Sequence, residues 1–487
     1  MTSTASSQAL KKPFELAIVG GGITGLMLAI ALYKRNIKCV IYEQAAEFGE
    51  IGAGVSISRN AVKAMEFIDR SVLGAFNIVA TRNKWDSKKS VWFDFMDGMS
   101  QLHVSQLEPL FTMVDPGVGQ NAVHRARFLN ELTRLLPRDG AQFNKTLQHI
   151  MDDRSSSGKI LLKFTDGSVA EADAVLGCDG IKSRTRTLLV GEDHAAAKPV
   201  YTHKYAYRGL IPMNQAVQVL GEERAVNASL WVSADPEGQH SSKIILVYTL
   251  TDRVKLGRNR HVLTFPVDHG ATMNMVAFVH NDREEWPSTS KLTLPTTKME
   301  ALDDFREFGQ TVKNILQLTP EKLERWAIFD LGDHPLSTYY KGRICLVGDA
   351  AHATSPHHGA GAGFCIEDAA FLASLLADPQ VTESNHLETV FAVYDKHRRE
   401  RTQWLVRSSR RAGNLYQFLT KDIGLEVAAT EKELAERLSH IWNYNLEDAL
   451  REATKDLHRR LRVPGIPRCD SQVMPFYTNE QNGVETQ

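Results

Sequence analysis

Short apolar runs, broken by glycine and polar turns, set the rhythm of the first part of the chain. Leu16 to Val19 is such a run and reads as a buried parallel strand. Apolar residues then recur with helical spacing from Leu26 to Tyr33, and Lys38 to Tyr42 predicts a second strand. Ala174 to Leu176 and Ile344 to Val347 predict further strands, and a helix opens at Ala362 or Gly363 with an apolar face through Ala369, Leu372 and Leu376. Between about Pro199 and Trp326 the pattern changes. The runs KYAYRGLIPM, ASLWVSA, KIILVYTL, HVLTFPV and MNMVAFV read as an antiparallel sheet, to which Lys84 to Val114 is expected to add strands. From about Glu383 to Leu461 the pattern is helical. Its basic, amphipathic stretch YDKHRRERTQWLVRSSRRAGNLYQF is expected to be a solvated helix packed on the first domain. The end, GIPRCDSQVMPFYTNEQNGVETQ, has no periodicity and is expected to be a loose tail.

Composition narrows the class. The 487 residues suggest two or three domains or one interleaved pair, and 43% hydrophobic residues suffice for sizeable cores. A formal net charge of −1 argues against nucleic acid or an anionic membrane surface as partner. Five scattered cysteines without CxxC suggest neither a disulfide framework nor a redox dithiol, which fits a reducing, cytoplasmic setting. The polar stretch MTSTASSQALKKPFE has no apolar core, so no signal peptide is expected. The apolar runs fall short of the roughly 20 residues of a membrane span.

The first candidate site follows the first strand. Gly20, Gly22 and Gly25 stand in GxGxxG spacing between that strand and the helix, and the second strand ends at Glu43. Gly20 allows the tight turn, Gly22 lets backbone approach a pyrophosphate, and Gly25 lets helix and strand pack closely. The helix N terminus attracts phosphate, and Glu43 can accept hydrogen bonds from ribose hydroxyls. This predicts a dinucleotide site, and the motif alone leaves FAD and NAD open.

Two later segments separate them. ADAVLGCDGIKSRTR carries Gly177, Asp179, Gly180, Ser183 and Arg186, and GDAAHATSPHHGAGAGFCIED runs from Gly348 to Asp368. The order GxGxxG, GxDGxxSxxR and GDAAHxxxPxxGxGxxxxxxD resembles that of the class A flavoprotein aromatic hydroxylases, the para-hydroxybenzoate and salicylate hydroxylase group, over about residues 14–410. The third motif is most similar to that of fungal salicylate hydroxylase-like and 3-methylorcinaldehyde monooxygenase-like enzymes. The resemblance implies an α/β fold: a Rossmann-like FAD-binding domain interleaved with a smaller mixed or antiparallel sheet domain for substrate, plus C-terminal helices. The expected segments are 13–83, 115–198 and 327–382 for FAD, 84–114 and 199–326 for substrate, 383–465 helical and 466–487 tail.

It also implies roles. Asp349 would accept a hydrogen bond from the FAD ribityl chain, and Arg125 would sit against the flavin or its pyrophosphate. Asp179 would lie where the FAD side meets the NAD(P)H approach, and Gly54 and Pro356 would stand beside the flavin. The helix start at Gly361, Ala362 and Gly363 would offer unpaired N–H groups to the anionic reduced flavin. With that task given to backbone, His352, His357 and His358 need no metal, and no further ligand stands at zinc spacing. No GxSxG supports a hydrolase.

The implied activity is hydroxylation of a phenolic substrate, salicylate-like or polyketide-derived, using NADPH or NADH, O2 and FAD through a flavin C4a-hydroperoxide. The protein would act as monomer or homodimer. Arg208, in YAYRGL, resembles the arginine that holds phenolate in dearomatising relatives, with Tyr207 and His357 as companions at the catalytic site. Phe265 is a departure, since those relatives have Tyr there. The hydroxyl is absent or moves to Tyr205, Tyr207 or Tyr248, which keeps simple hydroxylation, with or without loss of an ortho carboxylate, ahead of oxidative dearomatisation. A flavin-bound module without turnover is the reading from another class.

Overall fold

The computed structural model describes residues 11–49, 54–152, 158–233, 259–288 and 290–462. The expected strand KIILVYTL, Tyr248 and the tail lie outside these.

The first apolar run forms β1 (Glu15–Val19), the helical pattern forms α1 (Ile23–Tyr33), and the next run forms β2 (Lys38–Tyr42). β1 lies inside a six-stranded sheet, hydrogen-bonded to β2 on one side and Ala174–Gly177 on the other, both parallel. Such a strand is buried on both faces, so it reads as a continuous apolar run. Ile344–Leu346 extends the parallel order, and the short Tyr340–Lys341 strand closes that edge antiparallel. Helices Ile23–Tyr33, Arg59–Ile68 and Gly361–Ala377 cover the sheet and share its core.

The second large sheet has eight strands in the order Thr293–Thr297, Lys322–Asp330, Val200–Pro212, Thr272–His280, Arg260–Val267, Ser229–Val232, Val91–Asp97 and Phe111–Val114. Its pairs are antiparallel except Ser229–Val232 with Val91–Asp97. One face packs Tyr205, Tyr207, Met273 and Met275 against helices Met213–Ala225, Lys298–Asp304 and Gln310–Gln317. The other carries Ala206, Val276 and Phe278 and turns toward the glycine segment.

The basic C-terminal stretch is the helix Leu387–Tyr416, and it is not simply solvated. Arg398 is 0% exposed and Arg401 is also buried. Arg398 Nε donates to Asp368 at 2.7 Å, and its Nη2 to Glu367 at 2.8 Å. Arg401 donates to both Glu367 oxygens. The charge run therefore fastens this helix to Gly361–Ala377. Among the described residues no helix is long and apolar enough to cross a membrane, and no group of acidic, His and Cys side chains could hold a metal ion.

Candidate functional site

The three glycine-bearing motifs meet because their strands are neighbours. Gly20 ends β1 at φ +100°, and a Cβ there would stand 2.6 Å from the Cys178 carbonyl oxygen. Only glycine allows that approach. A Cβ on Gly25 would lie 2.0 Å from the Gly20 carbonyl oxygen, so Gly25 serves the contact of helix with turn. Glu43 accepts the Gly21 N–H at 2.6 Å and the Ala45 N–H at 2.8 Å, which aims its carboxylate at the mouth of the turn. Asp179 is fixed by the Ser183 hydroxyl at 2.5 Å and the Thr185 N–H at 2.8 Å, and burial pushes its carboxyl pKa up. Fully buried Arg186 donates to the Ala350 carbonyl at 3.0 Å and thereby ties the second motif to the third.

Residues of all three motifs border one cavity of about 720 Å³. Gly20, Gly22, Glu43, Gly54, Arg125, Asp179, Asp349, Pro356, Gly361 and Ala362 all line it. Among the described residues neither α1 nor Gly361–Ala377 has a side-chain cap, so the first N–H groups of both helices are left without a capping side chain at this wall. That suits an extended anionic cofactor such as FAD: phosphates at one helix start, a ribose at Glu43, and a developing negative charge at the other helix start.

Gly25 and Gly363 do not reach the cavity. Gly363 packs against Arg59–Ile68, where its Cβ would lie 3.1 Å from that of Ala61, so its smallness serves helix packing rather than the cofactor.

The far end of the cavity is aromatic. Trp92, Phe93, Phe265, Phe278 and Tyr416 wall it, and Arg208 enters from the sheet. The Arg208 guanidinium lies 4.7 Å from the Trp326 ring centre, and its Nε has no hydrogen-bond partner among the described residues. Burial pushes its pKa down to about 10, and the charge of Arg125 adds to that. Two half-buried cations thus bias this end toward an anion.

Tyr207 is not brought there. Successive strand residues face opposite sides of a sheet, and its hydroxyl donates to Asp304 at 2.7 Å on the helix-covered face. Tyr205 donates to the same carboxylate oxygen at 2.8 Å. The tyrosine on the aromatic wall is Tyr416, from the end of the helix Leu387–Tyr416, a residue the sequence does not single out. Its signal was faint: Tyr416 is one of four aromatics, with Phe391, Tyr394 and Trp404, in a helix read as basic and solvated.

The histidines divide. His352 bonds Asp368 at 2.6 Å; His358 lines the cavity and bonds Ser408 at 2.9 Å. His357 also lines the cavity; among the described residues neither ring nitrogen has a hydrogen-bond partner, and burial holds it neutral, well below the usual imidazole range.

Comparison with known proteins agrees with this geometry. A family model described as "FAD binding domain" matches residues 14–409. The FAD-dependent monooxygenase pigN of Monascus ruber is 45% identical over 455 residues, covering 92% of this chain and 97% of that protein. The salicylate hydroxylase asL1 of Sarocladium schorii is 36% identical over 92% of each chain. A solved salicylate hydroxylase–substrate complex superposes with a TM-score of 0.75 at 32% identity, covering 91% of this chain and 98% of that one.

Proposed function

The chain belongs to the FAD-binding-domain family and is an FAD-dependent monooxygenase of the salicylate hydroxylase group, and from this premise we propose that it hydroxylates a phenolic aromatic with NAD(P)H and O2. The observation that carries the substrate class is Arg208, a half-buried guanidinium facing an aromatic-walled cavity that the glycine segments also border.

FAD would be held by the Gly20–Gly25 turn, Glu43, Arg125, Asp179, Asp349 and the helix start at Gly361. The chemistry supplied by bound FAD is transfer of two electrons from NAD(P)H and activation of O2, one oxygen atom going to the substrate and the other to water. The protein's own residues then have three tasks. Arg208 grips a phenolate or carboxylate through a planar fork, which fixes both ring and charge. Holding the phenol as phenolate makes its ring electron-rich and ready for an electrophilic oxygen. Trp92, Phe93, Phe265 and Phe278 exclude water, which strengthens the Arg208 contact and protects reactive species from side reactions.

Tyr416 supports a second reading. It puts a hydroxyl on the aromatic wall although Phe265 lacks one, which favours oxidative dearomatisation of a polyketide phenol as the alternative outcome.

The test is a panel of salicylates, orcinol-type aldehydes and resorcinols, read by substrate-stimulated NADH and NADPH oxidation with product masses. A yellow, FAD-loaded protein that oxidises NAD(P)H no faster with any phenol would sink this reading.

A further inference from the structure

A smaller cavity of about 290 Å³ lies behind the first, and His357 lines both. The sheet register explains the arrangement. Three cross-strand rows face this side: Arg208–Val276–Leu263, Ala206–Phe278–His261 and Lys204–His280. The first row stands at the main cavity. The second makes a wall, with His261 stacked 4.6 Å from Phe278 and His357 5.0 Å from the same ring. The third opens on the smaller cavity. At about 3.3 Å per residue, Lys204 stands roughly 13 Å along the strand from Arg208.

The polar groups of this wall lack partners. Both ring nitrogens of His261 and of His357 are buried without a hydrogen bond among the described residues. Such groups are costly to leave dry, and a cavity of this size bordered by Lys204, His280, Asp333, Arg410 and Asn414 has room and partners for water. Lys204 is only 5% exposed; its Nζ donates to Asn414 at 2.8 Å, and it forms no ion pair among the described residues. Charges face it from every side: His203 on its own strand, His280 and Asp282 beside it, and His261 beyond. Asp330 and Asp333 stand on the other flank, Arg410 on the helix Leu387–Tyr416, and His357 on the glycine segment. Burial dominates and brings the Lys204 ammonium down to about 7. Asp333, with its side chain 46% exposed, marks the solvent mouth.

We propose that His357 and Lys204 carry the phenolic proton of the substrate out of the main cavity, His357 passing it through the shared wall and Lys204 receiving it in the smaller chamber, whose mouth at Asp333 opens to solvent. This path rests on the phenol-binding function proposed above. The phenol O–H bond breaks and one imidazole nitrogen takes the proton, while the other ring nitrogen releases its own to chamber water. The neutral Lys204 amine accepts that proton, and the resulting ammonium loses it to solvent. No electron changes hands, and the phenolate stays opposite the Arg208 cation.

The test uses the FAD-loaded protein, without NAD(P)H, and 2,4-dihydroxybenzaldehyde as probe. It is mixed rapidly in weak buffer with a pH-indicator dye, and both the phenolate band and proton release are followed. Lys204→Met removes the acceptor. Lys204→Arg keeps the charge and bulk but stays protonated at neutral pH. Both variants should slow proton release tenfold or more while the probe's Kd changes less than threefold, and added ethylamine should restore the rate in Lys204→Met. Wild-type speed in Lys204→Arg overturns the path, as does slowing that ethylamine does not relieve. Reductive methylation mapped by mass should reach half its extent at Lys204 near pH 7, and a midpoint in the ordinary lysine range also overturns it. A holoenzyme that binds no phenol overturns the proposed function and this path together, whereas phenol binding with normal proton release in both variants overturns the path alone.

Discussion

Tyr207 and Arg208 are chain neighbours that serve opposite faces of one sheet: the Tyr207 hydroxyl bonds Asp304 beneath the helices, and the Arg208 guanidinium reaches the cavity. The alternation of a strand forbids them from sharing a site. A pair of substitutions should therefore separate stability from chemistry.

Arg208→Ala should leave FAD binding intact, because the FAD-lining residues lie on other elements. Coupled oxygen transfer should fall by roughly two decades, as for a lost electrostatic catalytic contact. NAD(P)H oxidation that remains should end in hydrogen peroxide, and Arg208→Lys should rescue partly, since it offers a charge without a fork. Tyr207→Phe should keep turnover within a few-fold and lose about 1.5–3 kcal/mol of stability, the range for a hydrogen bond to a charged group. Product yield per NAD(P)H and urea unfolding decide. Poor coupling in Tyr207→Phe with normal stability would contradict the placement.

Asp349→Ala should weaken FAD binding by roughly one to two decades, the worth of a charge-assisted hydrogen bond. Titration of apoprotein by flavin fluorescence measures it. Unchanged affinity would remove Asp349 from the cofactor site.

The glycines should not be equivalent. Gly25→Ala would press a Cβ to 2.0 Å from the Gly20 carbonyl oxygen, and backbone on backbone cannot yield, so the variant should lose FAD and fold poorly. Gly363→Ala meets Ala61 at 3.1 Å and should cost about 1–3 kcal/mol by overpacking while FAD stays bound. Thermal unfolding with and without added FAD distinguishes the two, and loss of FAD by a folded Gly363→Ala protein would return Gly363 to the cofactor.

Arg398→Met would leave buried Asp368 without its guanidinium partner, while Glu367 keeps Arg401, and should destabilise the protein by about 3–5 kcal/mol at neutral pH. Burial alone would raise the Asp368 pKa, but the Arg398 charge and the His352 bond outweigh it and hold the carboxyl at about 2. A depressed folded pKa stabilises above the usual carboxylate range and is lost as pH falls through the folded value. The gap between wild type and Arg398→Met should therefore be full above about pH 4 and shrink toward pH 2. Urea unfolding across that range checks it, and a gap that ignores pH would mean the ion pairs are not its source.

The sequence alone determined the first strand–helix–strand unit, the glycines at its turn, and the three motifs in order. These are local demands: a positive φ, a backbone approach or an uncapped helix start constrains residues within one short segment, so the constraint is written where it acts. The alternating runs from residue 199 onward likewise announced a sheet, because a half-buried strand must alternate. Only the tertiary structure decided which alternate face met the cavity, and so kept Arg208 and set Tyr207 aside. It brought Tyr416 to the aromatic wall from far along the chain, turned Arg398 and Arg401 inward onto Glu367 and Asp368, and put Lys204 behind a wall of histidines. In each case the deciding partner lies on another element, and a charge or an aromatic ring carries no mark of whether it will meet water, a carboxylate or a cavity until the chain has packed.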